Sequence, residues 1–534
     1  MTDTTASINT GLSAAEAERI AWDVVVVGAG HNGLVAGLVL ARSGLKVLMI
    51  EERTVIGGAV RTERPFAKAP QLATSTGAYL LGLMQPELLE RLGLELPLLR
   101  RDPHYFLPTT DGRYLLFGSD ERELERQFVS FFSERDFRAN QAMTAELAAL
   151  REDIAPTWLE EPLSIEETAE RYVRRPLRDA FVRLCRGSVG SYLERFDFQS
   201  DLVKAMYAVT DGFSGLFGTW DTPGSGMNFL VHNMCRLKGS GGTWMIVEGG
   251  MGTVSRTLER AFREAGGSLL LGCAVERVLV SGGAARGVQL AGKGEISARA
   301  VVAGCDPFRL RELVGPADFP VELGTRLDGM RRPGSTFKLN LALSRLPTFS
   351  CLPHNRGQFG PTIHLLPDEA DVLRSLTEAF ESVRQGRLPE FPSIEWYIHS
   401  TVDPSLTDPE GRLSSALFVQ WVPYELAESS WDAEVERYSD HLLTLCDRFA
   451  PGTSSLVVDR MPLHPKRIEE YFGIRHGHIH HIDNTFGFAD RFPHRLPIAG
   501  IYSCSAGTHP AGSVIGSAGY IAAQCVLNDL EHGH

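Results

Sequence analysis

Asp23-Val-Val-Val-Val-Gly-Ala-Gly-His-Asn-Gly33 reads as a buried strand that runs straight into a nucleotide-binding turn. Val24 to Val27 are apolar on both faces, as a strand covered from two sides requires. Gly28, Gly30 and Gly33 follow with the spacing G-x-G-x-x-G. The three glycines serve different purposes. Gly28 makes the tight turn, Gly30 lets a pyrophosphate reach the backbone, and Gly33 lets helix and strand pack closely. Helical sequence is expected from His31 to about Ser43, with Gly44 as its stop. The N-terminus of such a helix offers free N–H groups and partial positive charge to phosphates. A second apolar strand, Lys46 to Ile50, delivers Glu51 about 20 residues on, where an acid accepts hydrogen bonds from a ribose. Glu52 is the next candidate for that role. Strand, glycines, helix, strand and acid in this order predict a Rossmann-like dinucleotide fold.

At 534 residues the chain is expected to hold two or three domains. Its 43% hydrophobic and 22% charged residues are ordinary for a globular protein. A net charge of -13 argues against nucleic acid or an anionic membrane as a broad electrostatic partner. No run of 18 apolar residues predicts a spanning helix. Residues 1–22 are polar, carry no secretory signal and are expected to form a flexible tail. The 8 cysteines are scattered, without C-x-x-C or metal-ligand spacing, so no metal site is expected and reduced thiols in the cytoplasm are. No cysteine precedes Cys185, which excludes the close pair a flavin disulfide reductase needs after its first dinucleotide motif. A second G-x-G-x-x-G is also absent downstream, so no separate nicotinamide fold is expected.

The pattern divides the chain at approximate boundaries. After the tail, residues 23–100 form the first part of a cofactor-binding domain. Residues 101–222 are a mainly helical substrate region, in which Ser133-Glu-Arg-Asp136 is a capping box opening a long helix. Residues 223–310 return to the cofactor domain, with Gly249-Gly-Met-Gly252 before a helix and then short strands. Residues 311–465 form a mixed sheet with helices, and 466–534 close the cofactor domain. The expected fold class is α/β: a Rossmann-like domain in three pieces with an inserted α+β substrate domain.

Gly57-Gly58, after Glu52-Arg53, is typical of FAD proteins of the glutathione-reductase-like superfamily. Taken with Gly28-Ala-Gly-His-Asn-Gly-Leu-Val35, Gly249-Gly-Met-Gly252, Lys338 to Pro347, Gly477-His-Ile-His-His481 with Asp483, and Gly507-Thr-His-Pro510, the chain resembles the phytoene-desaturase-type FAD oxidoreductases. Within them it is most similar to the subgroup of pyridine nucleotide-disulfide oxidoreductase domain-containing protein 2 and the O-type β-carotene ketolases. The resemblance implies non-covalent FAD, held by Gly28, Gly30, Asn32, Gly33, Glu51, Glu52, Gly57, Gly58, Val275, Gly507, Thr508 and His509. It places Gly507-Thr-His-Pro510 at a helix N-terminus beside the flavin. It further implies a lipophilic, isoprenoid- or carotenoid-like substrate that gives up hydride from a C–H bond. Dioxygen, a quinone or another carrier would take the electrons. Peripheral membrane contact stays compatible with this reading, and no motif fixes an oligomeric state. Three positions depart from the subgroup: Arg61, Ser505 and Ala511.

His481 and His509 are the candidates for a catalytic part, although most histidines are simply hydrogen-bonded core residues. On a strand, His476, His478 and His480 would share one face, with His481 opposite. Lys338 alternates with apolar residues and is expected on a solvent face rather than at the flavin. Trp220, Trp244, Trp396, Tyr397 and Trp421 fit either a substrate tunnel or ordinary core. Two other functions remain in view: oxidation of an amine, which calls for a small polar cage, and a flavin-binding scaffold with little turnover.

Overall fold

The computed structural model describes residues 12–367 and 369–532. The valine run forms β1 (Trp22–Val27), the helix α1 (His31–Arg42) follows it, and β2 spans Val47–Glu51. β1 and β2 run parallel, with Val24 opposite Val47 and Val27 opposite Ile50. On the other side of β1 lies Glu295–Ala303, also parallel. That nine-residue strand is shared: its first half pairs antiparallel with Ala284–Leu290, and its last residues pair parallel with Ile501–Ser503. Ser268–Leu271 extends the sheet beyond β2, and Val275–Ser281 forms its far edge. The central strands are parallel and covered by helices on both faces, hence apolar throughout.

Two glycines fix how closely α1 sits on this sheet. Gly28 has φ +95°, a left-handed conformation that a side chain disfavours. A Cβ on Gly33 would overlap the Gly28 carbonyl oxygen, so the first turn of α1 lies against the loop it leaves. Gly252–Glu264 and Ser517–His532 pack on the remaining sides of α1.

The second sheet has the order 457–463, 336–343, 413–420, 393–397, 362–365, 105–108, 114–117. Its two faces differ, as side chains alternate along a strand. Phe337, Leu339, Leu341, Ile394, Trp396, Leu417 and Val419 join Trp431, Tyr438 and Leu442 of the helix Trp431–Phe449 in one core. Thr336, Lys338, Thr362, Glu395, Tyr397 and Phe418 point the other way, into a cavity shared with the first sheet. Helices from Glu121 to His232, including Glu134–Ile154 capped by Ser133, close the side of this cavity around a core of their own.

Three expectations change. Residues 105–117, expected within a mainly helical region, form a hairpin that extends the second sheet: Pro108 pairs with Tyr114 across Thr109 to Arg113. Of the expected tail, residues 1–11 lie outside the described residues. Ala14–Ala17, however, is a helical turn capped by Ser13; Ala17 is buried, and its carbonyl accepts a hydrogen bond from the Trp22 indole at 3.0 Å. The strand alignment considered for His476, His478, His480 and His481 is not formed: His476 and His481 take positive φ values of 61° and 59°, and Arg475–Gly477 is a kinked turn. No helix among the described residues is long and apolar enough to cross a membrane.

Candidate active site

A single long cavity runs between the two sheets. At one end it is walled by Gly28, Gly30, His31, Asn32 and Gly33 from the glycine loop and α1. Glu51 and Glu52 from the tip of β2, Gly57 and Gly58, and Val275 complete this wall. Glu51 is buried to 9% exposure and also braces the loop. Its Oε2 accepts the Ala29 N–H at 2.8 Å, and its Oε1 accepts the Arg53 N–H at 3.0 Å. Burial raises the Glu51 pKa, and these two bonds pull it back. Gly57 is tied to the loop by its N–H to the Ala29 carbonyl at 2.8 Å, and it bridges Gly30.

This end fits a dinucleotide. No heavy atom stands within 4 Å of a Cβ placed on Gly30, so the backbone there is open to an incoming group. Asn32 Oδ1, His31 Nε2 and His481 Nδ1 are buried polar atoms on this wall without a hydrogen-bond partner among the described residues. Buried polar atoms are almost always satisfied, so a ligand is their natural partner. Burial lowers the pKa of His31 to about 4 and of His481 to about 3, so both rings are neutral near pH 7.

The Gly507-Thr-His-Pro510 segment sits differently from expectation. Ala506, Gly512, Ser513 and Val514 form the wall, whereas Gly507, Thr508 and His509 stand behind it. His509 Nε2 lies 2.9 Å from the Thr157 carbonyl, its ring packs on Phe488, and the Thr508 carbonyl accepts from Arg491 Nε at 2.9 Å. The following helix opens only at Ser517. Arg491, 1% exposed, shapes this whole turn. It donates to the carbonyls of Ile482, Asp483, Phe486, Ala506 and Thr508 and to Asn484 Oδ1.

The other end of the cavity is mixed in character. Tyr79, Leu80, Trp244, Phe418 and Ile479 give it apolar walls. Arg101, Asp211, Lys338, Glu395 and Tyr397 stand among them. Lys338 is 4% exposed, which corrects its expected solvent-face position. Its Nζ donates to the carbonyls of Ser75 at 2.5 Å and Gly77 at 2.6 Å, and it lies 4.6 Å from the Tyr79 ring centre. Burial alone pulls its pKa well below the ordinary lysine value. Burial raises Glu395 to about 7 and Asp211 to about 7, so both acids hold their protons through much of the range below neutrality. The Tyr397 hydroxyl donates to Glu395. Of the five large aromatics singled out in the sequence, Trp244 and Tyr397 line the cavity. Trp396 and Trp421 are core, and Trp220 packs against a core cluster.

The histidine cluster supports this wall. His480 and His481 line the cavity; His480 Nδ1 is 2.6 Å from Asn484 Nδ2, and His478 Nε2 is 3.2 Å from Asp483 Oδ2. No group of three or more His, Cys, Asp or Glu side chains among the described residues is arranged to hold a metal. Arg61, one of the departures from the subgroup, is buried between the rings of Tyr471 and Phe472, beside Glu63. Sequence reading missed Arg101, Asp211 and Glu395. A charged residue inside the apolar run Ser393-Ile-Glu-Trp-Tyr397 was the available signal for Glu395.

Comparison with known proteins agrees with this architecture. Residues 33–350 match the model of the flavin containing amine oxidoreductase family. The pyridine nucleotide-disulfide oxidoreductase domain-containing protein 2 of Rattus norvegicus is 32% identical over 96% of this chain and 94% of its own. A zeta-carotene-forming phytoene desaturase of Myxococcus xanthus is 26% identical over 77% of this chain and 74% of its own. A solved oxidoreductase from Methanosarcina mazei shares the fold with a TM-score of 0.62 at 18% identity, over 95% of this chain and 100% of its own. The glycine loop, the cavity it opens and these likenesses agree: the chain belongs to the flavin-containing amine oxidoreductases and is an FAD-dependent oxidoreductase of the phytoene-desaturase type.

Proposed function

We propose that this enzyme removes hydride from a C–H bond of a lipophilic small molecule, isoprenoid-like in its apolar part. One observation carries the reading: the cavity continues without a break from the glycine loop and Glu51 to the apolar walls of Tyr79, Leu80, Trp244, Phe418 and Ile479. The phytoene desaturase among its relatives supports a substrate of this kind.

FAD, when bound, supplies the hydride acceptor. The chain does the rest. Gly28, Gly30, Asn32 and Gly33 with the N-terminus of α1 hold the pyrophosphate. Glu51 accepts from a ribose, with Glu52 beside it. Gly57, Gly58 and Val275 would flank the cofactor, and His481 would face it from the same cavity wall. Gly507, Thr508 and His509 act from behind, by holding Ala506 and Gly512 in place. Lys338 is fixed by two carbonyls and stays on the wall as a positioned donor. Such a hydride transfer needs no dedicated base, and the apolar walls exclude water from it. Dioxygen, a quinone or another carrier then takes the electrons.

A second reading, oxidation of an amine, is favoured by two acids, Asp211 and Glu395, standing near the aromatic rings of Tyr79 and Tyr397. Anaerobic mixing separates the two. Isoprenoid alcohols and acids should bleach the flavin band of the purified protein, and primary amines should not. Bleaching by amines alone would replace the first reading with the second. Release of no FAD on denaturation would sink both.

A further inference from the structure

Arg101 is the feature of this cavity that neither the fold nor the hydride transfer accounts for. It is 4% exposed and lies on the wall. Its Nε donates to the Trp244 carbonyl at 3.0 Å, and its Nη1 donates to Thr362 Oγ1 at 2.9 Å. Both partners are neutral. A guanidinium has five N–H donors, so three are left without an acceptor among the described residues. Among the described residues no carboxylate forms an ion pair with Arg101, although Glu395 stands on the same wall, bonded instead by Tyr397. A buried charge without a counter-ion is costly and is kept where an ion will meet it. The other cation of the wall, Lys338, already has two carbonyl partners.

We propose that the substrate is an amphiphilic carboxylic acid and that Arg101 binds its carboxylate. A carboxylate matches the free donors of a guanidinium in a planar, two-point contact that neither an alcohol nor an amine can make. The Trp244 carbonyl and the Thr362 hydroxyl hold the side chain in place before the ligand arrives, so little freedom is lost on binding. The apolar part of the acid lies along Tyr79, Leu80, Trp244, Phe418 and Ile479, between Arg101 and the flavin end marked by His481. This assignment rests on reading the cavity as the substrate site of the FAD enzyme, and it narrows the substrate class from lipophilic molecules to lipophilic acids.

The test is a binding titration that needs no turnover. Decanoate, decanol and decylamine are added to the FAD-loaded enzyme, and the visible flavin band reports occupancy. Decanoate should bind at least about 30-fold more tightly than decanol, the equivalent of one charge-assisted hydrogen bond. In Arg101→Met this preference should vanish while decanol binding stays at the parent level, and Arg101→Lys should fall between. Equal binding of acid and alcohol by the parent overturns the proposal, and so does tightest binding by the amine. Parental affinity for decanoate in Arg101→Met overturns it as well. Loss of FAD from both variants would assign Arg101 to the cofactor and overturn it too. If only Arg101→Met fails to fold, the parent and Arg101→Lys decide. Decanoate binding in a protein whose flavin no lipophilic C–H donor reduces would sink the proposed function and leave the Arg101 assignment standing.

Discussion

Glu395→Gln should change how stability depends on pH. Burial lifts the Glu395 carboxyl from 4.5 to about 7; Asp211 pushes it further up, while the Tyr397 hydroxyl and Arg101 pull it down. The folded state therefore holds this proton more tightly than the unfolded chain does. The stability it brings is complete below about pH 4.5 and is lost as pH rises through about 7. At about 1.4 kcal/mol per tenfold in proton affinity, the gap amounts to about 3 kcal/mol, most of it falling between about pH 5 and pH 8. Glutamine keeps the size of the side chain and an acceptor for Tyr397, but it does not titrate. Relative to the parent, the variant should gain about 2.5 kcal/mol over that interval. For a chain of 534 residues the unfolding entropy is about 1.1 kcal/mol/K, so the gain reads as a relative rise of about 2 °C in melting temperature. Asp211, raised by burial to about 7, titrates in both proteins, so its own burial is common to them and only its coupling to Glu395 enters the comparison. The assay is thermal melting of both FAD-loaded proteins at a fixed scan rate, at the two pH values. A melting difference that is the same at both would refute the reasoning, because it would mean that Glu395 does not take up its proton on burial.

Gly33→Ala should release FAD: its methyl group would overlap the Gly28 carbonyl, and forcing the two apart costs about 1–3 kcal/mol. The flavin-to-protein ratio after gel filtration measures this, and a parental ratio would contradict it. Glu51→Arg should also lose FAD, since it removes the proposed ribose acceptor together with the charge-assisted bonds to Ala29 and Arg53, each worth roughly 1.5–3 kcal/mol. Full retention would pass the ribose role to Glu52. Arg491→Met removes the guanidinium from five carbonyls, of which, among the described residues, only Asp483 keeps another donor, the Phe486 N–H; at about 1 kcal/mol or more for each of the other four it should lower the melting temperature by at least about 3 °C. A smaller fall would mean that water replaces the guanidinium.

The parts of the fold that could be read from the sequence are those whose causes are local. Val24 to Gly33 announce strand, turn and helix within ten positions, because glycines at fixed offsets have few other uses. Ser133 opens its helix as its spacing to Asp136 requires. The rest depends on partners distant in the chain. Tyr105 to Phe117 became a hairpin because Thr362 to Leu365 offers it an edge to pair with, more than two hundred residues later. Lys338 alternates with apolar neighbours as a solvent-facing residue would, but the face it points from is roofed by Ser75 and Gly77. The alternation of the histidine run would suit a strand, yet the positive φ of His476 and His481 turns the chain at both ends. Arg101 had no local signal at all: only the assembled cavity shows that no carboxylate among the described residues forms an ion pair with it.

The pairing of Ile501–Ser503 with Val301–Ala303 has a consequence for how the enzyme is made in the cell. That strand leads into Ala506, Gly512, Ser513 and Val514, which line the cavity where the cofactor is proposed to sit. Every other segment lining the cavity leaves the ribosome earlier. A nascent chain can fold its glycine loop, the second sheet and the other strands of the first and still have a site open along one side. Flavin capture therefore waits for the last strand to be translated and inserted. Once captured, the flavin locks that strand in place, so the loaded enzyme should withstand proteolysis in this region far better than the freshly folded apoprotein.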